Sequence, residues 1–433
     1  MTTFSCSPGE KINGSLRVPG DKSISHRSII LSSIATGVSH ISGFLQGEDS
    51  LNTIRAFQQM GVEIERNDDR VCVIGAGLHG LKASAADLDM GNSGTAMRLM
   101  LGLLAGQGFD SRMIGDESLS SRPMLRVIEP LQAMGALITS ESGGRAPLQV
   151  RASPGLKAIE YDMPVASAQV KSCLLLAGLY ADGETVVREP APTRDHSERM
   201  LRAYGCKVTS VGREIRMPAG QQLSACDVEV PADISSAAFF MVAASIAPGS
   251  DITLQHVGVN PTRTGVIDIL KLMGADLEMH NQRDVGGEPV ADIRVRSAPL
   301  SGIDIPVELV PLAIDEFPVL FVAAACAQGT TRLSEAEELR VKESDRIQVM
   351  ADGLGELGVK TQVNADGIVI EGGPMGGGTV DSHGDHRIAM AFSVASLRAQ
   401  QAICIKDCAN VNTSFPGFAD LAQQAGIKIR VGE

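Results

Sequence analysis

The length, composition and charge of the chain exclude several classes of protein. At 433 residues, it exceeds the roughly 250–300 residues at which one hydrophobic core stops growing, so two or three domains are expected. The net charge is −13, there is no Trp, and only 3% of the residues are aromatic. Nucleic-acid binding needs basic surfaces and aromatic platforms, so we expect small molecules, and not nucleic acids, as partners.

The N-terminus and the cysteines indicate the compartment. The first residues, MTTFSCSPGEK, contain no apolar segment of signal-peptide length, which favours the cytoplasm. The eight cysteines include no CxxC pair, so we expect reduced thiols and no disulfide framework. The apolar runs reach about 8–13 residues, short of the roughly 20 that cross a bilayer, so no membrane is expected as a partner.

One pattern recurs six times along the chain, and each copy contains an amphipathic segment that ends at a glycine. From Gly61 to Gly426 the chain advances 365 residues in five steps, a mean spacing of 73. Such a fixed period indicates repeated supersecondary units, none of which buries its apolar face alone. The six glycines are Gly61, Gly135, Gly205, Gly274, Gly358 and Gly426.

Each copy also contains a polar segment, here called a head, followed by a run that is apolar on every side. Such a run is typical of a helix buried all round, so we predict buried helices whose N-termini lie at the heads. The heads are DKSISHR from Asp21, GNSGTAMR from Gly91, ASAQVK from Ala166, ADISSAA from Ala232, IDEFP from Ile314 and DHRIAM from Asp385. In an acidic chain, these cations in or beside the heads predict a small anionic ligand: Lys22, His26, Arg27, Arg98, Lys171, His386 and Arg387. The fourth head offers only Asp233 and serines.

The position of the copies predicts the domains. Three copies fill the chain up to about Val230, and three follow Pro231. The earlier segment KINGSLRVPG is predicted to be a strand stopped by Pro19 and Gly20. We expect this strand to pair with the C-terminal half and to close a barrel-like sheet without an edge. The predicted domains are residues 1–20 with 232–433, and residues 21–231, with hinge crossings near 20–21 and 230–233.

Two motifs resemble cofactor or metal sites but lack the required context. Gly75, Gly77 and Gly80 form GxGxxG after a predicted strand, as in dinucleotide-binding folds. No helix with apolar periodicity follows, so a surface turn is the better interpretation. His383 and His386 have no further ligand at metal-site spacing. We therefore expect no cofactor and no metal.

The first two heads have the features of anion sites. GNSGT leads directly into an apolar helix, where free N–H groups suit a phosphate or carboxylate. It lacks the GK[ST] ending of a P-loop, and a tight turn capped by Asn92 is the alternative. DKSISHR places Lys22, Ser23 and Arg27 at a helix start, where they could hold an anion. A solvated helix cap at Asp21 is the alternative there.

The densest charge cluster is ELRVKESDR, residues 338–346. On a helix, Lys342 and Arg346 share a face and Glu343 lies beside Arg346. Like charges at that spacing destabilise a bare helix, so an anionic partner is expected, with a solvated charged face as the alternative. Asp315 in the fifth head and Arg387 in the sixth add a carboxylate and a guanidinium.

Nine motifs together resemble one known family. In chain order they are PGDKSISHR, GNSGTAMR, SRPM, ASAQVKS, PTRDHSERML, NPTRTG, IDEFP, RVKESDR and DHRIAM. Each motif is weak alone. In this order, through nearly the whole chain, they resemble the 5-enolpyruvylshikimate-3-phosphate (EPSP) synthases, the enolpyruvyl transferases of the shikimate pathway.

The resemblance implies a fold and a reaction. The fold is α/β, a two-domain inside-out α/β barrel of six βαβαββ units, three per domain, with buried helices whose N-termini face an interdomain cleft that closes over substrate. The reaction transfers the enolpyruvyl group of phosphoenolpyruvate to the 5-hydroxyl of shikimate 3-phosphate and releases phosphate through a tetrahedral intermediate, in aromatic amino acid biosynthesis. The implied partners are these two anions, without a cofactor or a metal, and we expect a monomer.

The resemblance also implies site residues, transferred position by position. Shikimate 3-phosphate is expected to contact Lys22, Ser23, Arg27, Ser167, Ala168, Gln169, Arg194, Asp315 and Lys342. Phosphoenolpyruvate is expected to contact Lys22, Asn92, Gly94, Arg122, Gln169, Arg346 and Arg387. The expected catalytic residues are Asp315, as the base for the hydroxyl, and Glu343 with Lys22, as proton carriers for the methylene carbon.

Two departures from the family pattern and one glycine characterise this chain. Asn412 and Thr413 precede the SFP motif, where some members have a lysine, and Glu338 stands where some have Asn. Gly94 stands where members that tolerate the inhibitor glyphosate often have Ala, so sensitivity to glyphosate is expected.

The alternative function is that of the sister enzyme, UDP-N-acetylglucosamine 1-carboxyvinyltransferase. That enzyme typically has a catalytic Cys on a mobile loop and an Asn after the first-head lysine. Here Ser23 follows Lys22, and the corresponding segment GDESLSSRPM has no Cys, which favours the shikimate enzyme.

Overall fold

The computed structural model describes residues 2–432, which form two compact units. The central unit consists of Gly20–Val230 with Val285–Glu288. The terminal unit contains the chain up to Pro19, Pro231–Asp284 and the chain from Pro289 onward. Each unit has its own hydrophobic core. The hinge crossings between the predicted domains stay a prediction.

The helices are distributed equally between the units. Those of the central unit are α1 (Lys22–Ile34), α2 (Glu48–Gln59), α3 (Gly94–Ala105), α4 (Glu117–Ser121), α5 (Leu125–Ala133), α6 (Ala168–Gly178) and α7 (His196–Ala203). Those of the terminal unit are α8 (Ile234–Ile246), α9 (Gly265–Leu272), α10 (Phe317–Cys326), α11 (Arg346–Glu356), α12 (His386–Ala395), α13 (Val411–Ser414) and α14 (Phe418–Ala425). Two short 3₁₀-helices span Val307–Leu309 and Glu337–Val341.

The strands are short. Two precede the central unit, β1 (Thr3–Ser7) and β2 (Asn13–Leu16). Within the central unit lie β3 (Thr36–Ser42), β4 (Glu63–Asn67), β5 (Arg70–Ala76), β6 (Leu88–Asp89), β7 (Ser111–Ile114), β8 (Leu137–Glu141), β9 (Arg145–Arg151), β10 (Leu156–Lys157), β11 (Glu160–Asp162), β12 (Ala181–Asp182), β13 (Thr185–Arg188), β14 (Thr209–Val211), β15 (Glu214–Met217) and β16 (Val228–Glu229). The remaining strands are β17 (Asp251–Gly258), β18 (Asp276–Val285), β19 (Glu288–Arg296), β20 (Thr330–Leu333), β21 (Lys360–Asn364), β22 (Gly367–Glu371), β23 (Gly378–Asp381), β24 (Ile403–Lys406) and β25 (Lys428–Gly432).

The central unit contains three four-stranded sheets with the same pairing pattern. Their strand orders are β16-β3-β5-β4, β6-β7-β9-β8 and β11-β13-β15-β14, and β10 pairs separately with β12. In each four-stranded sheet the first two strands are parallel and the other pairs are antiparallel. The parallel pairs β6–β7 and β11–β13 are connected through α3 and α6, because parallel neighbours need a crossover connection.

The terminal unit contains three sheets, ordered β18-β19-β17-β2, β20-β22-β21 and β23-β24-β1-β25. Strand β2 runs parallel to β17, with Asn13 opposite Asp251, so the predicted pairing of the opening strand with the C-terminal half is confirmed. The prediction that it closes a barrel is wrong. Strand β17 pairs with β19 on its other side, which leaves β2 as the last strand of an open sheet. Within residues 2–432 the sheets contain two to four strands and none closes.

The apolar runs that follow the heads form buried helices, as predicted. All thirteen residues of α8 are buried, and α3 is buried except for Thr95. Helices α3 and α6 approach so closely that a Cβ added to Gly102 would lie 2.1 Å from the carbonyl oxygen of Cys173. Glycine at that position therefore allows two buried helices to pack backbone against backbone.

The predicted helix ends at the six repeated glycines are confirmed. All six adopt the left-handed backbone conformation, with φ between 83° and 115°. A residue without a Cβ adopts this conformation without strain, which is why glycine commonly follows the last helical residues. The six follow or end α2, α5, α7, α9, α11 and α14.

Substituting Gly102 with Ala should destabilise the central unit, because the methyl group would overlap the α6 backbone. The expected loss is about 1–3 kcal/mol, typical of overpacking. The matched control is Gly355→Ala in α11, where nothing lies within 4 Å of the added Cβ, and it should gain about 1 kcal/mol from helix propensity. Denaturant unfolding of both variants measures this difference, and equal midpoints would contradict the close helix approach.

Candidate active site

The three head helices of the central unit start at side-chain caps. Asp21, Ser93 and Ser167 each accept a hydrogen bond from the backbone N–H three residues later, at 2.8, 3.1 and 3.3 Å. The residue that caps α3 is thus Ser93 and not Asn92. The N–H groups of a first helical turn carry partial positive charge and favour anions. Near these starts lie the predicted site residues Lys22, Ser23, Arg27, Asn92, Gly94, Ser167, Ala168 and Gln169.

A buried polar chain joins the first head to the second. Lys22 pairs with Asp49 of α2, and the Thr53 hydroxyl donates to the carbonyl of Asp49 at 3.3 Å. His26 Nδ1 lies 2.8 Å from Thr53 Oγ1, and its Nε2 lies 3.2 Å from Ser93 Oγ. Because Thr53 uses its proton on Asp49, Nδ1 of His26 is the donor and Nε2 accepts from Ser93. Burial, reinforced by nearby cations, lowers the pKa of His26 to about 3, so the ring is neutral.

Arg27 is buried among neutral oxygen atoms. Its Nε donates to Ser197 Oγ at 2.7 Å and its Nη2 to Ser172 Oγ at 2.8 Å. A third bond, from Nη1, goes to the carbonyl of Ser23 at 2.9 Å. Burial lowers the pKa of Arg27 to about 10, which leaves the group charged at neutral pH. These three partners are uncharged, and the charges that oppose the effect of burial on this pKa come from carboxylates nearby, chiefly Glu198 and Asp21.

The second head holds Asn92 and Arg122 together. Arg122 Nη2 donates to Asn92 Oδ1 at 2.9 Å and to Ser118 Oγ at 3.0 Å. The amide of Asn92 in turn donates to Asp116 Oδ2 at 2.7 Å. Asp116 is also the N-cap of α4, so a short helix and a polar network fix both predicted residues.

Gln169 links the third head to the second. Its Oε1 accepts from Arg98 Nη1 at 2.7 Å, and its Nε2 donates to Thr95 Oγ1 at 2.9 Å. A Cβ added to Gly94 would lie 2.9 Å from Arg98 Nη1 and 3.5 Å from Arg122 Nη1. Gly94 therefore leaves room beside two guanidinium groups.

In the terminal unit, the predicted cations converge on Asp315. Its Oδ1 lies 3.5 Å from Arg346 Nη1 and 3.7 Å from Lys342 Nζ. Arg387 Nη1 donates to the carbonyl of Asp315 at 2.9 Å, and its Nη2 lies 4.0 Å from Oδ2. The fifth head thus meets the sixth head and the charged segment 338–346, as a common site requires.

Arg346 is the most heavily paired of these cations, and only 1% of its side chain is exposed. Its Nε donates to Asp385 Oδ2 at 2.8 Å, and its Nη2 donates to Glu343 Oε2 at 2.6 Å. Burial alone would lower the pKa of Arg346, but Asp385, Glu343 and Asp315 together raise it above its ordinary value. The guanidinium is therefore permanently charged and held in one orientation.

The prediction that Lys342 and Arg346 share a helical face is wrong. The 3₁₀-helix Glu337–Val341 ends just before Lys342, and α11 starts only at Arg346. Asp345 caps α11 by accepting the N–H of Gln348 at 3.1 Å, so a new helix begins between the two cations. Although no single helix carries both residues, their side chains lie near the same carboxylate, that of Asp315.

The fourth head has a cationic partner that the sequence analysis missed. Arg263 Nη2 donates to Ser235 Oγ at 2.6 Å and lies 3.6 Å from Asp233 Oδ1. Glu316 Oε1 accepts the Ser235 hydroxyl proton and lies 3.5 Å from Arg263 and 3.9 Å from Arg387. The fourth head is therefore tied to the fifth and sixth through buried charges.

The missed residues hold the predicted ones in place. Glu316 is not among the missed residues, because the sequence already places it beside Asp315 in the fifth head. Asp385 could have been found, because it directly precedes α12 at the N-cap position, which favours acceptor side chains. No local signal pairs Asp49 with Lys22 or Arg263 with Glu316, since these partners are distant in sequence.

Neither a metal cluster nor a membrane-spanning helix is found in the described chain. Among residues 2–432, no three His, Cys, Asp or Glu side chains are grouped so that they could hold a metal ion. Over the same residues, no helix combines the length and the apolar character needed to cross a bilayer.

The departures from the family pattern have local partners. Glu338 Oε1 accepts from Lys342 Nζ at 3.3 Å, so this acid adds a second carboxylate to that lysine. Thr413 lies in α13 and donates to the carbonyl of Asn410 at 2.7 Å.

The fold is that of an α/β protein with cationic side chains at the starts of buried helices, an arrangement suited to small anions. The family model "EPSP synthase (3-phosphoshikimate 1-carboxyvinyltransferase)" matches residues 6–421. The 3-phosphoshikimate 1-carboxyvinyltransferases of Alkalilimnicola ehrlichii and Methylococcus capsulatus are 63% and 62% identical over 99% of this chain and 97% and 98% of theirs. A solved EPSP synthase from Acinetobacter baumannii is 55% identical, with a TM-score of 0.91 over 100% of both chains. The chain belongs to the EPSP synthase family, which confirms the resemblance and the mixed α/β class.

His26 should make the stability of the protein fall with acidification. Its pKa drops from an ordinary 6.5 to about 3 on folding, so between these values the unfolded chain binds more protons. The folded state should lose about 2 kcal/mol between pH 6.5 and pH 5 from this group. In His26→Gln, thermal unfolding midpoints measured from pH 7.5 to 5 should decline less steeply. The control His40→Gln alters an exposed histidine and should keep the wild-type slope, whereas equal slopes in all three proteins would contradict the prediction.

Proposed function

We propose that the chain acts as a 3-phosphoshikimate 1-carboxyvinyltransferase. It transfers the enolpyruvyl group of phosphoenolpyruvate to the 5-hydroxyl of shikimate 3-phosphate and releases phosphate, a step of the shikimate pathway towards aromatic amino acids. Support comes from the family match over residues 6–421 and from relatives of this name at 62–63% identity. The geometric observation that carries the proposal is the carboxylate of Asp315 among Lys342, Arg346 and Arg387.

The architecture behind this function is proposed to be six βαβαββ units, three in each domain, in which open sheets surround buried helices. Support comes from the three similar sheets of the central unit and from the sheets of the terminal unit that β1 and β2 complete. Residues 21–231 would contribute three units, and residues 1–20 with 232–433 the other three.

Shikimate 3-phosphate is assigned to a set of hydroxyl, amide and cationic groups. Ser23 lies in the first turn of α1 and Arg27 in the second. Ser167, Ala168 and Gln169 lie at the start of α6, where backbone N–H groups suit a phosphate. The full set is Lys22, Ser23, Arg27, Ser167, Ala168, Gln169, Arg194, Asp315 and Lys342. The contact of Gln169 with Arg98 (2.7 Å) supports a fixed amide orientation at this start.

Phosphoenolpyruvate is assigned to the groups that supply most of the positive charge. Its carboxylate and phosphate suit paired guanidinium groups, which bind such anions bidentately. The set is Lys22, Asn92, Gly94, Arg122, Gln169, Arg346 and Arg387. The burial of Arg346 and its bonds to Asp385 and Glu343 support a preorganised site in which little reorientation is needed.

The reaction needs three proton movements around one new carbon–oxygen bond. In the addition, the 5-hydroxyl oxygen bonds to C2 of phosphoenolpyruvate, Asp315 accepts the hydroxyl proton, and C3 gains a proton. In the elimination, the C2–O bond to phosphate breaks and the C3 methyl group loses a proton. We assign the C3 proton to Glu343 and Lys22, because both carry a proton-exchanging group and sit beside the anion-binding cations.

The remaining properties are proposed from the same family. The partners are two small anions, without a cofactor, and the protein acts as a monomer in the cytoplasm. The eight free cysteines support a reducing compartment, because disulfides form mainly in oxidising ones.

The test of the function is phosphate release from phosphoenolpyruvate. The protein should release phosphate only when shikimate 3-phosphate is present, and UDP-N-acetylglucosamine should not replace it. Glu343→Gln and Asp315→Asn should each lower kcat by at least about a hundredfold, the usual contribution of a general acid or base.

The controls separate the function from the residue assignments. Glu371→Gln changes a carboxylate in strand β22, outside the proposed site, and should keep wild-type turnover. Release without shikimate 3-phosphate, or with the nucleotide sugar instead, would contradict the function. Full turnover in Glu343→Gln would contradict only its assigned role.

Glyphosate should inhibit the enzyme because Gly94 leaves space beside Arg98 and Arg122. In Gly94→Ala the methyl group would lie 2.9 Å from Arg98 Nη1 and should weaken inhibition by at least about tenfold, within the range for one methyl in a tight pocket. Inhibition constants and the KM for phosphoenolpyruvate measure the effect. Gly108→Ala, where an added Cβ has no neighbour within 4 Å, should behave as wild type. A wild-type inhibition constant far above that KM would contradict sensitivity.

A further inference from the structure

A buried ion cluster lies in the central unit behind the proposed shikimate 3-phosphate residues. Lys171 of α6 has 1% of its side chain exposed, and its Nζ lies 2.6 Å from Glu189 Oε1 and 2.7 Å from Glu198 Oε1. The two carboxylates are 6% and 2% exposed. One ammonium group therefore pairs with two buried acids from different parts of the chain.

Glu189 fixes Thr193, the residue that precedes Arg194. The backbone N–H of Thr193 donates to Glu189 Oε2 at 3.2 Å, and its hydroxyl donates to Oε1. Lys171 Nζ also donates to the carbonyl of Thr193, at 3.5 Å. Three polar groups of Thr193 are thus held by one buried ion pair, which leaves this loop residue little conformational freedom.

Glu198 and its neighbour fix the start of α7 against α6. Ser197 Oγ accepts from Arg27 Nε at 2.7 Å and donates to Ser172 Oγ at 2.7 Å. Adjacent residues of α6, Lys171 and Ser172, therefore bind adjacent residues of α7, Glu198 and Ser197. These paired contacts set the rotation and height of α7 relative to α6 and α1.

The cluster is not explained by stability alone. Buried ion pairs are often no more stabilising than apolar residues of the same shape, and their best-attested use is to specify one arrangement. Burial raises the pKa of Glu198 despite the opposing effect of Lys171, so holding this acid ionised costs free energy. We therefore expect this ion cluster to hold neighbouring residues in one arrangement.

We infer that Lys171 is a positioning residue that sets Arg194 against the start of α6, and that it thereby determines the affinity for the phosphate group of shikimate 3-phosphate. The inference rests on the proposed function, which assigns Arg194 and the α6 residues Ser167, Ala168 and Gln169 to that substrate. The charge of Lys171 is used by Glu189 and Glu198, so its effect passes through Thr193 and Ser197.

Steady-state kinetics of Thr193→Val tests the inference without removing a buried charge. The variant keeps the shape and the backbone N–H of Thr193 but loses the hydroxyl that donates to Glu189. The KM for shikimate 3-phosphate should rise about five- to tenfold, the effect of one buried hydrogen bond, with the KM for phosphoenolpyruvate and kcat within about twofold. Thr185→Val makes the same change at a buried threonine of β13 and should leave both KM values unchanged.

Two further variants identify the role of the ammonium group. Lys171→Met should raise the KM for shikimate 3-phosphate more than Thr193→Val does, and Lys171→Arg, which can still bond both acids, should restore most of the affinity. A rise in both KM values together, or a lower unfolding midpoint with unchanged KM values in Thr193→Val, would overturn the positioning role.

Arg194→Gln separates this inference from the proposed function. If Arg194→Gln raises the KM for shikimate 3-phosphate and Thr193→Val does not, the positioning role alone is overturned. If Arg194→Gln has no effect on that KM, the substrate assignment of Arg194 fails, and the inference fails with it.

Discussion

A helix that is buried on every side can contact polar ligands only at its ends. This constraint determines where the polar groups of this chain lie. Helices such as α3 and α8 are enclosed by apolar neighbours, so their unpaired N-terminal N–H groups must be satisfied by caps and polar side chains. The heads therefore gather the hydroxyl, amide and charged groups of each unit. Because the helix dipole favours negative charge at that end, the same groups that complete the fold also form places for anions.

Those parts of the fold that depend on local chemistry could be predicted from the sequence. The glycines at Gly61 and Gly426 end helices because the left-handed conformation suits glycine, and the apolar runs after the heads are buried because no face of them is polar. The route of the strands was less predictable. Whether β2 closes a barrel or ends an open sheet depends on which edges of β17 are already paired. The sequence of β2 alone contains no information about the other partner of β17.

The same division applies to the candidate site, where local motifs could be predicted and contacts between distant residues could not. The cations that could hold anions, such as Arg346 and Arg387, stand in recognisable motifs, and the structure brings both to Asp315. The pairing of Arg346 with Asp385 was missed, because the two residues are 39 positions apart in the sequence and no periodicity links them. The continuous helix expected from Lys342 to Arg346 fails at Asp345, whose side chain caps a new helix. A capping residue inside a charged run is a weak signal that spacing alone does not resolve.

The pairing of strand β1 has a consequence for biosynthesis. Strand β1 lies between β24 and β25, with Phe4 opposite Ile405 and Val431, so the first of the described strands pairs with the last of them. All strands of the four-stranded sheets in the central unit are present once β16 has been synthesised, and domains generally fold as units in the order of their synthesis. On the ribosome the central unit can therefore fold before β24 and β25, the partners of β1, have been synthesised. During that interval β1 is an unpaired strand, the kind of segment most exposed to aggregation, and its length of five residues keeps that hazard small.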